Sequence, residues 1–446
     1  MTIKVKLAAI AKDEAAYIPQ WIHHHLLFGF QEIEIWLNNT TDNSMALLSD
    51  IQKSHPDGVI KFRNSDDFLR KCLADDLPFQ QLAYSDIYYQ TLDEAKCTHI
   101  LFLDLDEFWV PANFTSSVNE LITDAPDSDA ISYQWYIDTP DVNKHIFSPP
   151  FSYTNSLQKN RHVKTLTKLT TNMKELSVHN HIIENGVYSL ASGERFPGTD
   201  KETLCKSLIP TSYHKQHGNT LERAFILHQI NRTPIEYLSS LLRGRGHKND
   251  DNVFKVNRIG YLEDNHSLPP CIFFVSIDAV VKYNSSLAKY CALFADHIEE
   301  ARGFIVQRFN SAVEKIRHNP EYLTRYRDQL RGVKINDLSF EKLTSPQIFY
   351  SVDKTTIAGN SILIEGWAFD ALSVNPPEIT IKTRDGLTVN SRISIQERLD
   401  VIRVYPDAPS KCGFKITIIE LISTDIDLVM RTVGGVQTVP ISISAS

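Results

Sequence analysis

Strand and helix patterns alternate along residues 5–103, and no other feature of the sequence restricts its fold as strongly. Apolar strand patterns at 5–11, 32–37, 59–62 and 100–103 are separated by helical patterns at about 14–28, 45–53 and 78–95. Parallel neighbouring strands need a crossover connection, which is usually a helix. The alternation therefore predicts an α/β fold, in which helices cover both faces of a mostly parallel sheet.

The pattern changes twice after this segment, which divides the chain into three regions. Mixed strand patterns at 131–136, 162–169 and 176–183 come first, apolar residues then recur at helical spacing over 285–330, and short alternating strands begin near 348. We predict an α/β domain over 1–245, a mostly helical extension over 246–344 and a small β-sandwich over 345–446.

Charge and cysteine spacing exclude several classes of protein. The 446 residues contain 46 Lys and Arg against 54 Asp and Glu without a long basic run, which argues against a nucleic-acid partner. The six cysteines are scattered without a Cys-x-x-Cys pair, so we predict free thiols rather than disulfides or structural zinc. No apolar run is long enough to span a membrane, and we expect a cytoplasmic protein.

Three acidic residues stand directly after the apolar run at 100–103. Asp104 and Asp106 are two positions apart, so in an extended chain both carboxylates project to the same side. Mg²⁺ and Mn²⁺ prefer carboxylate oxygens and commonly bridge to substrate phosphates. Together with Glu107, the pair predicts a cation site at the carboxyl end of a strand, where open α/β sheets bind ligands. The alternative is that the acids only end the strand and cap the next segment.

Three blocks of the sequence together resemble glycosyltransferases related to families 2 and 92. Residues 9–29 resemble their K-N-E, y-l-x-E-W, h-H, l-G opening, the loop 38–44 resembles d-N-x-S-x-D, and 104–108 resembles D-x-D-E-F. A second match at 227–238 and 243–245 resembles H-Y-x-x-K-S-x-E-E-f followed by K-x-x-R-G. The chain departs from the pattern at Asp13, where the family usually has Asn, and at Gln229, where it usually has Tyr.

The resemblance implies a GT-A fold with a Rossmann-like mixed sheet, a UDP-sugar as the donor substrate, and a Mn²⁺ or Mg²⁺ ion held by the Asp-x-Asp carboxylates. The residues that it places around the nucleotide are Ala11, Lys12, Asp13, Glu14 and Asp42. It places Asp104 and Asp106 at the ribose, the metal and the diphosphate, and His228 as a further ligand of the metal or the diphosphate.

Basic side chains are candidates for stabilising the departing diphosphate, beside a bound cation. Lys164 and Lys168 lie on one face of a predicted strand. Arg243 and Arg245 flank a glycine in a predicted flexible segment.

An inverting transfer also needs a group that takes the proton of the acceptor hydroxyl. Glu194 and Asp200 are our first candidates because they lie in the Gly- and Pro-containing segment 192–200, and Glu184 and Glu202 are further candidates. His179 and His181 share a strand face and form an alternative pair of metal ligands.

The C-terminal region resembles a β-module appended to some bacterial glycosyltransferases. The resemblance rests on Gly366-Trp367-Ala368, on the Arg-x-Asp-Val segment at 398–401 and on Gly413-Phe414. We expect Trp367 and Phe414 to anchor the core of this module, and Arg398 and Asp400 to form an internal ion pair.

These observations predict a metal-dependent, inverting glycosyltransferase of bacterial surface polysaccharide or lipopolysaccharide synthesis. Its partners would be a UDP-sugar, with galactose as the first sugar to test, and a glycan or lipid-linked glycan acceptor reached by peripheral association with the inner membrane. Two alternatives remain open: a haloacid-dehalogenase-like phosphatase with Asp104 as nucleophile, and a non-catalytic carbohydrate-binding protein. The phosphatase motif normally stands on the first strand of its fold, whereas a β-α-β unit precedes Asp104 here.

Overall fold

The computed structural model describes most of the chain. The described ranges are 2–125, 127–139, 145–197, 208–218, 220–244, 252–258, 260–261, 269–333, 348–358, 361–370, 375–405, 408–418, 425–432 and 435–442. Among the predicted residues, Asp200, Glu202 and Arg245 lie outside these ranges, as does the predicted boundary near 345.

Strands and helices alternate through the first part of the fold, as the sequence predicts. In chain order the elements are β1 (Val5–Ala11), α1 (Ile18–Leu27), β2 (Glu32–Leu37), α2 (Ser44–Ser54), β3 (Ile60–Asn64), α3 (Asp66–Ala74), α4 (Phe79–Glu94), β4 (His99–Phe102), β5 (Glu107–Pro111) and α5 (Val118–Thr123). The helix α1 begins four residues later than predicted because Asp13 has a left-handed backbone, with φ of 51°. It ends at Leu27, and the chain turns at Gly29, whose φ of 91° favours glycine.

The next segment completes the large sheet. Its elements are β6 (Ala130–Asp138), β7 (Thr154–Lys168), β8 (Met173–Glu175), β9 (Ile182–Ile183), β10 (Tyr188–Leu190), α6 (Thr211–Gln216), β11 (Ala224–His228), α7 (Pro234–Leu242) and β12 (Cys271–Phe274). The continuous strand predicted at 176–183 is wrong: only β9 forms there, paired with β8, and a loop separates the strand from residue 176.

The sheet is mixed, as predicted for the GT-A fold, and only the mostly parallel arrangement inferred from the alternation of strands and helices is wrong. Its order is β3-β2-β1-β4-β7-β6-β11-β5, with β10 beside β6 and β12 beside β7. The strands from β3 to β4 are parallel, whereas β7 is antiparallel to both β4 and β6. Because β1, β4, β6 and β11 all run in the same direction, their carboxyl ends meet at one edge of the sheet.

Apolar side chains alternate between the two faces of the sheet, and each face has its own core. On one face Leu7, Ile33 and Leu101 belong to a cluster that includes α1 and α2. On the other face Ala8 and Ile100 pack against α3 and α4. The alternation follows from the two-residue period of a strand, and it explains why these strands have apolar residues on both faces.

Three buried hydrogen bonds join α1 to β5. The indole Nε1 of Trp21 donates to the Glu107 carbonyl at 2.8 Å, and Nε2 of His24 donates to the Trp109 carbonyl at 2.8 Å. In return, the backbone N–H of Trp109 donates to Nε2 of His25 at 3.2 Å. These contacts fix the strand that directly follows the acidic motif.

The helical region packs onto the α/β sheet rather than apart from it. It contains α8 (Ile277–Ala292), α9 (Ala295–His318), α10 (Glu321–Arg325) and α11 (Arg327–Leu330). Tyr283, Leu287, Phe294 and Ile298 belong to the same buried cluster as the sheet residues. None of the helices within the described ranges is both long enough and apolar enough to cross a membrane.

The C-terminal region forms two small antiparallel sheets around a separate core. Its elements are β13 (Ile348–Ala358), β14 (Ser361–Asp370), β15 (Glu378–Thr383), β16 (Ser391–Gln396), α12 (Leu399–Val404), β17 (Gly413–Ile418), β18 (Asp425–Thr432) and β19 (Gly435–Ser442). The sheets β13-β14-β17-β16 and β15-β18-β19 share one apolar cluster, which indicates the predicted sandwich.

The residues that suggested this module have structural roles. Phe414 is 1% exposed in the core, and a Cβ on Gly366 would collide with its ring and with the Ser351 carbonyl. Trp367 is only partly buried. Arg398 pairs with Asp400 at 2.6 Å, which confirms that predicted ion pair.

Candidate active site

A cavity of about 600 Å³ lies at the carboxyl ends of β1, β4 and β11. Its volume is within the usual range for a site that binds a small molecule or a cofactor. The predicted site residues that line it are Ala11, Lys12, Glu14, Asp104, Asp106, His228 and Arg243. The fold thus brings together residues from the first block, the acidic motif and the later His-containing block.

The acidic motif forms a tight turn between β4 and β5 that a lysine neutralises. Glu107 accepts a hydrogen bond from the Asp104 backbone N–H at 2.8 Å. Nζ of Lys164, on β7, lies 3.3 Å from Asp104 and 3.2 Å from Glu107. Glu107 is completely buried, whereas the Asp104 side chain is 39% exposed and faces the cavity. Glu107 therefore holds the turn, and Asp104 is available to a ligand.

The electrostatics of this turn depend on burial and on Lys164. Burial raises the pKa of Glu107 to about 7, although Lys164 opposes the shift. Burial would lower the pKa of Lys164, but Asp104 and Glu107 together raise it above its usual value. The lysine therefore stays charged, and it joins the acidic turn to the antiparallel strand β7.

Asp106 pairs with the histidine that ends β11. The carboxylate Oδ2 lies 3.5 Å from Nε2 of His228 and 3.8 Å from the guanidinium of Arg258. Burial alone would raise the pKa of Asp106, but His228 and Arg258 hold it well below its usual value. The same pairing raises the pKa of His228 against the effect of burial. A carboxylate oxygen and an imidazole nitrogen thus face each other at the cavity wall.

Asp13 and Asp42 hold the loops that follow β1 and β2 and do not line the cavity themselves. Asp13 accepts the Thr41 backbone N–H at 2.6 Å and pairs with Arg308, on α9, at 3.2 Å. Asp42 accepts the Ala15 backbone N–H at 2.9 Å. Any contribution of these two carboxylates to nucleotide binding would therefore act through the shape of the loops.

Glu14 and Arg243 form an ion pair on the cavity wall. Arg232 lies 3.6 Å from the same carboxylate, and Arg243 also donates to the Lys12 carbonyl at 3.3 Å. Arg243 is the residue after α7, so this pair connects the end of β1 to the second sequence block.

Two cavity residues, Lys255 and Arg258, are not predicted from the sequence. Burial lowers the pKa of Lys255 well below its usual value, and the nearby Arg243 and Arg258 lower it further. Lys255 is 8% exposed and makes no ion pair with any residue in the described ranges. Three cationic side chains thus lie close together, and an anionic ligand would relieve their repulsion. No periodic or motif signal marks Lys255, and only its position in the fold identifies it.

A group of aromatic rings completes the wall beside His228. Trp135 contacts His228, with ring centroids 4.3 Å apart, stacks on His162 at 4.7 Å and meets His179 edge-on at 5.3 Å. His181, which the sequence paired with His179, is buried outside the cavity lining. Its Nδ1 accepts the Ser177 backbone N–H at 3.2 Å.

The remaining candidates lie away from the cavity. Lys168 is at the far end of β7, opposite His99 in the sheet register. Glu194 accepts a hydrogen bond from the Tyr213 hydroxyl at 2.5 Å, and Glu184 pairs with Lys174 at 2.8 Å. None of these residues lines the cavity.

The chain supplies a partial set of ligands for a divalent cation. Within the part of the chain that the structure describes, no three His, Cys, Asp or Glu side chains are arranged to hold a metal ion. Asp106 and His228 nevertheless face each other, and Asp104 is exposed beside them in the cavity. Protein magnesium sites often use one or two carboxylates, with substrate phosphates and water completing the coordination. The donor set therefore fits a metal that binds together with a diphosphate.

Comparison with protein families identifies the enzyme class. Residues 7–188 match the model of glycosyltransferase family 92, a range that includes Asp104, Asp106 and Lys164 but ends before His228. No curated protein matches the chain.

The similarity to solved structures is remote. TarS from S. aureus is 10% identical, with 99% of this chain and 78% of TarS covered and a TM-score of 0.22. The mannosyltransferase Ktr4p from S. cerevisiae is 11% identical, with 32% and 42% covered and a TM-score of 0.19. The galactosyltransferase LgtC is 15% identical, with 37% and 58% covered and a TM-score of 0.19. At this level of similarity, the substrates of these proteins do not indicate the donor or acceptor of this chain. The match over residues 7–188 is the finding that counts, and by it the chain is a glycosyltransferase.

Proposed function

We propose that the protein is a metal-dependent glycosyltransferase of GT-A type that transfers a hexose from a UDP-sugar to a glycan acceptor. The observation that carries the proposal is the single cavity in which Asp104, Asp106 and His228 lie beside Arg243 and Lys255. A nucleoside diphosphate that binds together with its metal needs carboxylates for the hard cation. It also needs side chains that suit the diphosphate.

Asp106 and His228 would hold the Mn²⁺ or Mg²⁺ ion, and Asp104 would contact the ion or the ribose. When bound, the metal supplies positive charge that stabilises the diphosphate as it leaves. Lys164 keeps Asp104 in place through an ion pair of 3.3 Å and prevents the neighbouring carboxylates from repelling one another.

Arg243, Lys255 and Arg258 would bind the diphosphate from the other side. Their side chains already lie on the cavity wall before the substrate arrives, so they need little reorganisation when negative charge develops on the leaving group. Lys12 and Ala11 line the same cavity at the end of β1, where the uridine would lie. Asp13 and Asp42 would shape this end by holding the loops together.

The finer features of the proposal rest on the sequence resemblance. They are galactose as the first sugar to test, inversion at the anomeric carbon, and a role in bacterial surface polysaccharide or lipopolysaccharide synthesis. A cytoplasmic enzyme that associates with the inner-membrane face would meet both the UDP-sugar and a lipid-linked acceptor.

A binding experiment tests the central claim. A panel of UDP-sugars is titrated into the protein by calorimetry with Mn²⁺, with Mg²⁺ and with EDTA. We expect at least one donor to bind only when the metal is present, and Asp106→Asn to weaken its binding by at least about tenfold, or about 1.4 kcal/mol.

The matched control is Asp67→Asn, because Asp67 is an exposed residue on α3 whose side chain is 93% accessible. This variant should bind like the native protein. The proposal fails if no UDP-sugar binds with either metal, or if Asp106→Asn binds and turns over the donor like Asp67→Asn.

A further inference from the structure

Two histidines on the cavity wall have the same orientation of their ring nitrogens. His162 donates through Nδ1 to the side-chain oxygen of Asn160 at 2.8 Å. The same oxygen accepts the His162 backbone N–H at 3.0 Å, so it is fixed as an acceptor. His179 donates through Nδ1 to the backbone carbonyl of Val163 at 3.0 Å. Both imidazoles therefore carry their hydrogen on Nδ1 and leave the lone pair of Nε2 free.

His181, two residues after His179, has the opposite orientation. Its Nδ1 accepts a backbone N–H, which requires the opposite tautomer, and the ring is buried beside Phe102. His179 and His181 are only two residues apart in the sequence. They nevertheless differ in tautomer and in access to the cavity.

Each carboxylate of the cavity has a basic partner, and Asp104, although exposed, is assigned above to the metal or the ribose. Glu14 is paired with Arg243, Asp104 with Lys164, and Asp106 with His228. In the described ranges no other Asp or Glu lines the cavity. Outside the cationic side chains Lys12, Arg243, Lys255 and Arg258, the Nε2 atoms of His162 and His179 are the basic atoms of the described cavity wall that remain available to a substrate hydroxyl.

We propose that Nε2 of His179 accepts the proton of the acceptor hydroxyl during sugar transfer. This inference rests on the proposed function and on its inverting course. His179 is preferred to His162 because its Nδ1 partner is a backbone carbonyl within β7, which cannot rotate away. A carbonyl that accepts from Nδ1 also stabilises the imidazolium that forms. His162 depends on the side chain of Asn160 and is stacked on Trp135.

The proposed step is balanced. The acceptor oxygen forms a bond to the anomeric carbon of the donor while its proton moves to Nε2 of His179. The bond between the anomeric carbon and the diphosphate oxygen breaks, and its electron pair leaves with the diphosphate. No oxidant, reductant or further reactant is needed.

The protonation state at neutral pH agrees with this role. Burial, followed by the charge of Lys164, lowers the pKa of His179 to about 4, so the ring is neutral at pH 7. That value is close to the ordinary pKa of a carboxylic acid, about 4, and carboxylates commonly serve as bases in enzymes.

The test uses the full-length protein and the UDP-sugar that binds in the titration panel, with water as the sugar acceptor. Hydrolysis rates and UDP affinity are measured for His179→Asn, which keeps the donor to Val163, and for the matched control His162→Asn. We expect His179→Asn to lower hydrolysis by about 10²- to 10⁴-fold with UDP affinity unchanged, and His162→Asn to lower it by less than about tenfold. Added imidazole should restore part of the activity of His179→Gly.

Several results would overturn the proposal while leaving the proposed function intact. One is hydrolysis by His179→Asn within about tenfold of the native rate. Another is a larger loss in Asp200→Asn or Glu194→Gln, which would assign the proton to a carboxylate. A third is a product that keeps the anomeric configuration of the donor. Equal losses of hydrolysis and of UDP affinity in His179→Asn would show a purely structural role. Failure of the native protein to bind any UDP-sugar would instead refute the proposed function itself.

Discussion

At the scale of single residues, Lys255 is a buried basic side chain without an ion-pair partner among the described residues. It is 8% exposed, it lies near Arg243 and Arg258, and it makes no ion pair within the described ranges. A buried cation without a partner costs free energy, which a protein retains mainly where a ligand compensates it. We therefore expect Lys255 to be favourable for binding and unfavourable for folding.

The substitution Lys255→Met separates these two effects. It should raise the free energy of unfolding by about 1 to 3 kcal/mol and weaken UDP binding at least tenfold. Urea denaturation and calorimetry measure the two quantities. Lys282→Met, at an exposed position on α8, should change neither. A destabilised Lys255→Met with native UDP affinity would contradict the prediction.

The sequence predicts site residues correctly where they belong to a local motif. It misses residues that only the fold brings to the site from distant parts of the chain. Asp104, Asp106 and His228 reach the cavity as expected, because the acids follow a strand whose carboxyl end lies at the site. Lys255 and Arg258 could not be predicted, because about 150 residues separate them from the acidic motif and no periodic pattern marks their segment. Glu194 is predicted only from its loop-rich surroundings, and it does not line the cavity.

At the scale of elements, the attachment of α1 to β5 depends on neutral histidines. His25 donates through Nδ1 to the Trp21 carbonyl at 2.8 Å and accepts the Trp109 N–H on Nε2. Burial lowers the pKa of His25 to about 3. In the unfolded chain this pKa is about 6.5, so the unfolded state binds more protons at any pH between these values.

The protein should therefore lose stability as the pH falls below about 6.5, and the loss from His25 is complete only near its folded pKa. At pH 5 this residue alone should account for about 2 kcal/mol. His25→Asn should be less stable at pH 7.5 and should lack this part of the pH dependence in urea denaturation. The exposed His318→Asn is the control. An unchanged pH dependence in His25→Asn would contradict the assignment.

Elements were predictable where one periodic pattern fills the whole segment. β1 and β2 are mostly apolar and have the predicted bounds. β7 runs over 15 residues, of which only the last part was predicted, because its first half contains polar residues such as Gln158 and Lys159. Its antiparallel direction follows from pairing with β4 and β6, which no local pattern encodes.

At the scale of the whole molecule, the helices from α8 onward belong to the core of the α/β sheet. Tyr283, Leu287, Phe294, Ile298 and Ile305 are buried in the sheet cluster, and the Tyr283 hydroxyl lies 3.1 Å from Nδ1 of His24. Five such side chains contribute roughly 10 kcal/mol by burial, which is comparable with the entire stability of a typical domain.

Truncation tests this dependence and the predicted domain boundaries together. A fragment ending at 345 should unfold cooperatively and keep UDP affinity, because the C-terminal sheets have their own core. A fragment ending at 245 should lack cooperative unfolding and should aggregate. Circular dichroism during urea titration distinguishes the two. Cooperative unfolding of the shorter fragment would show that the helices are a separate domain.

The pair of Asp13 and Arg308 has a consequence for how this enzyme could change during evolution. One charge comes from the loop after the first strand and the other from a helix almost 300 positions later, and each is buried against the other. Suppose that the segment containing the first strand were replaced by that of a relative with an uncharged residue at position 13. Arg308 would then lack the counter-charge of Asp13. The two segments are therefore expected to be inherited together, so that recombination between distant homologues would succeed only when both partners of the pair are carried over.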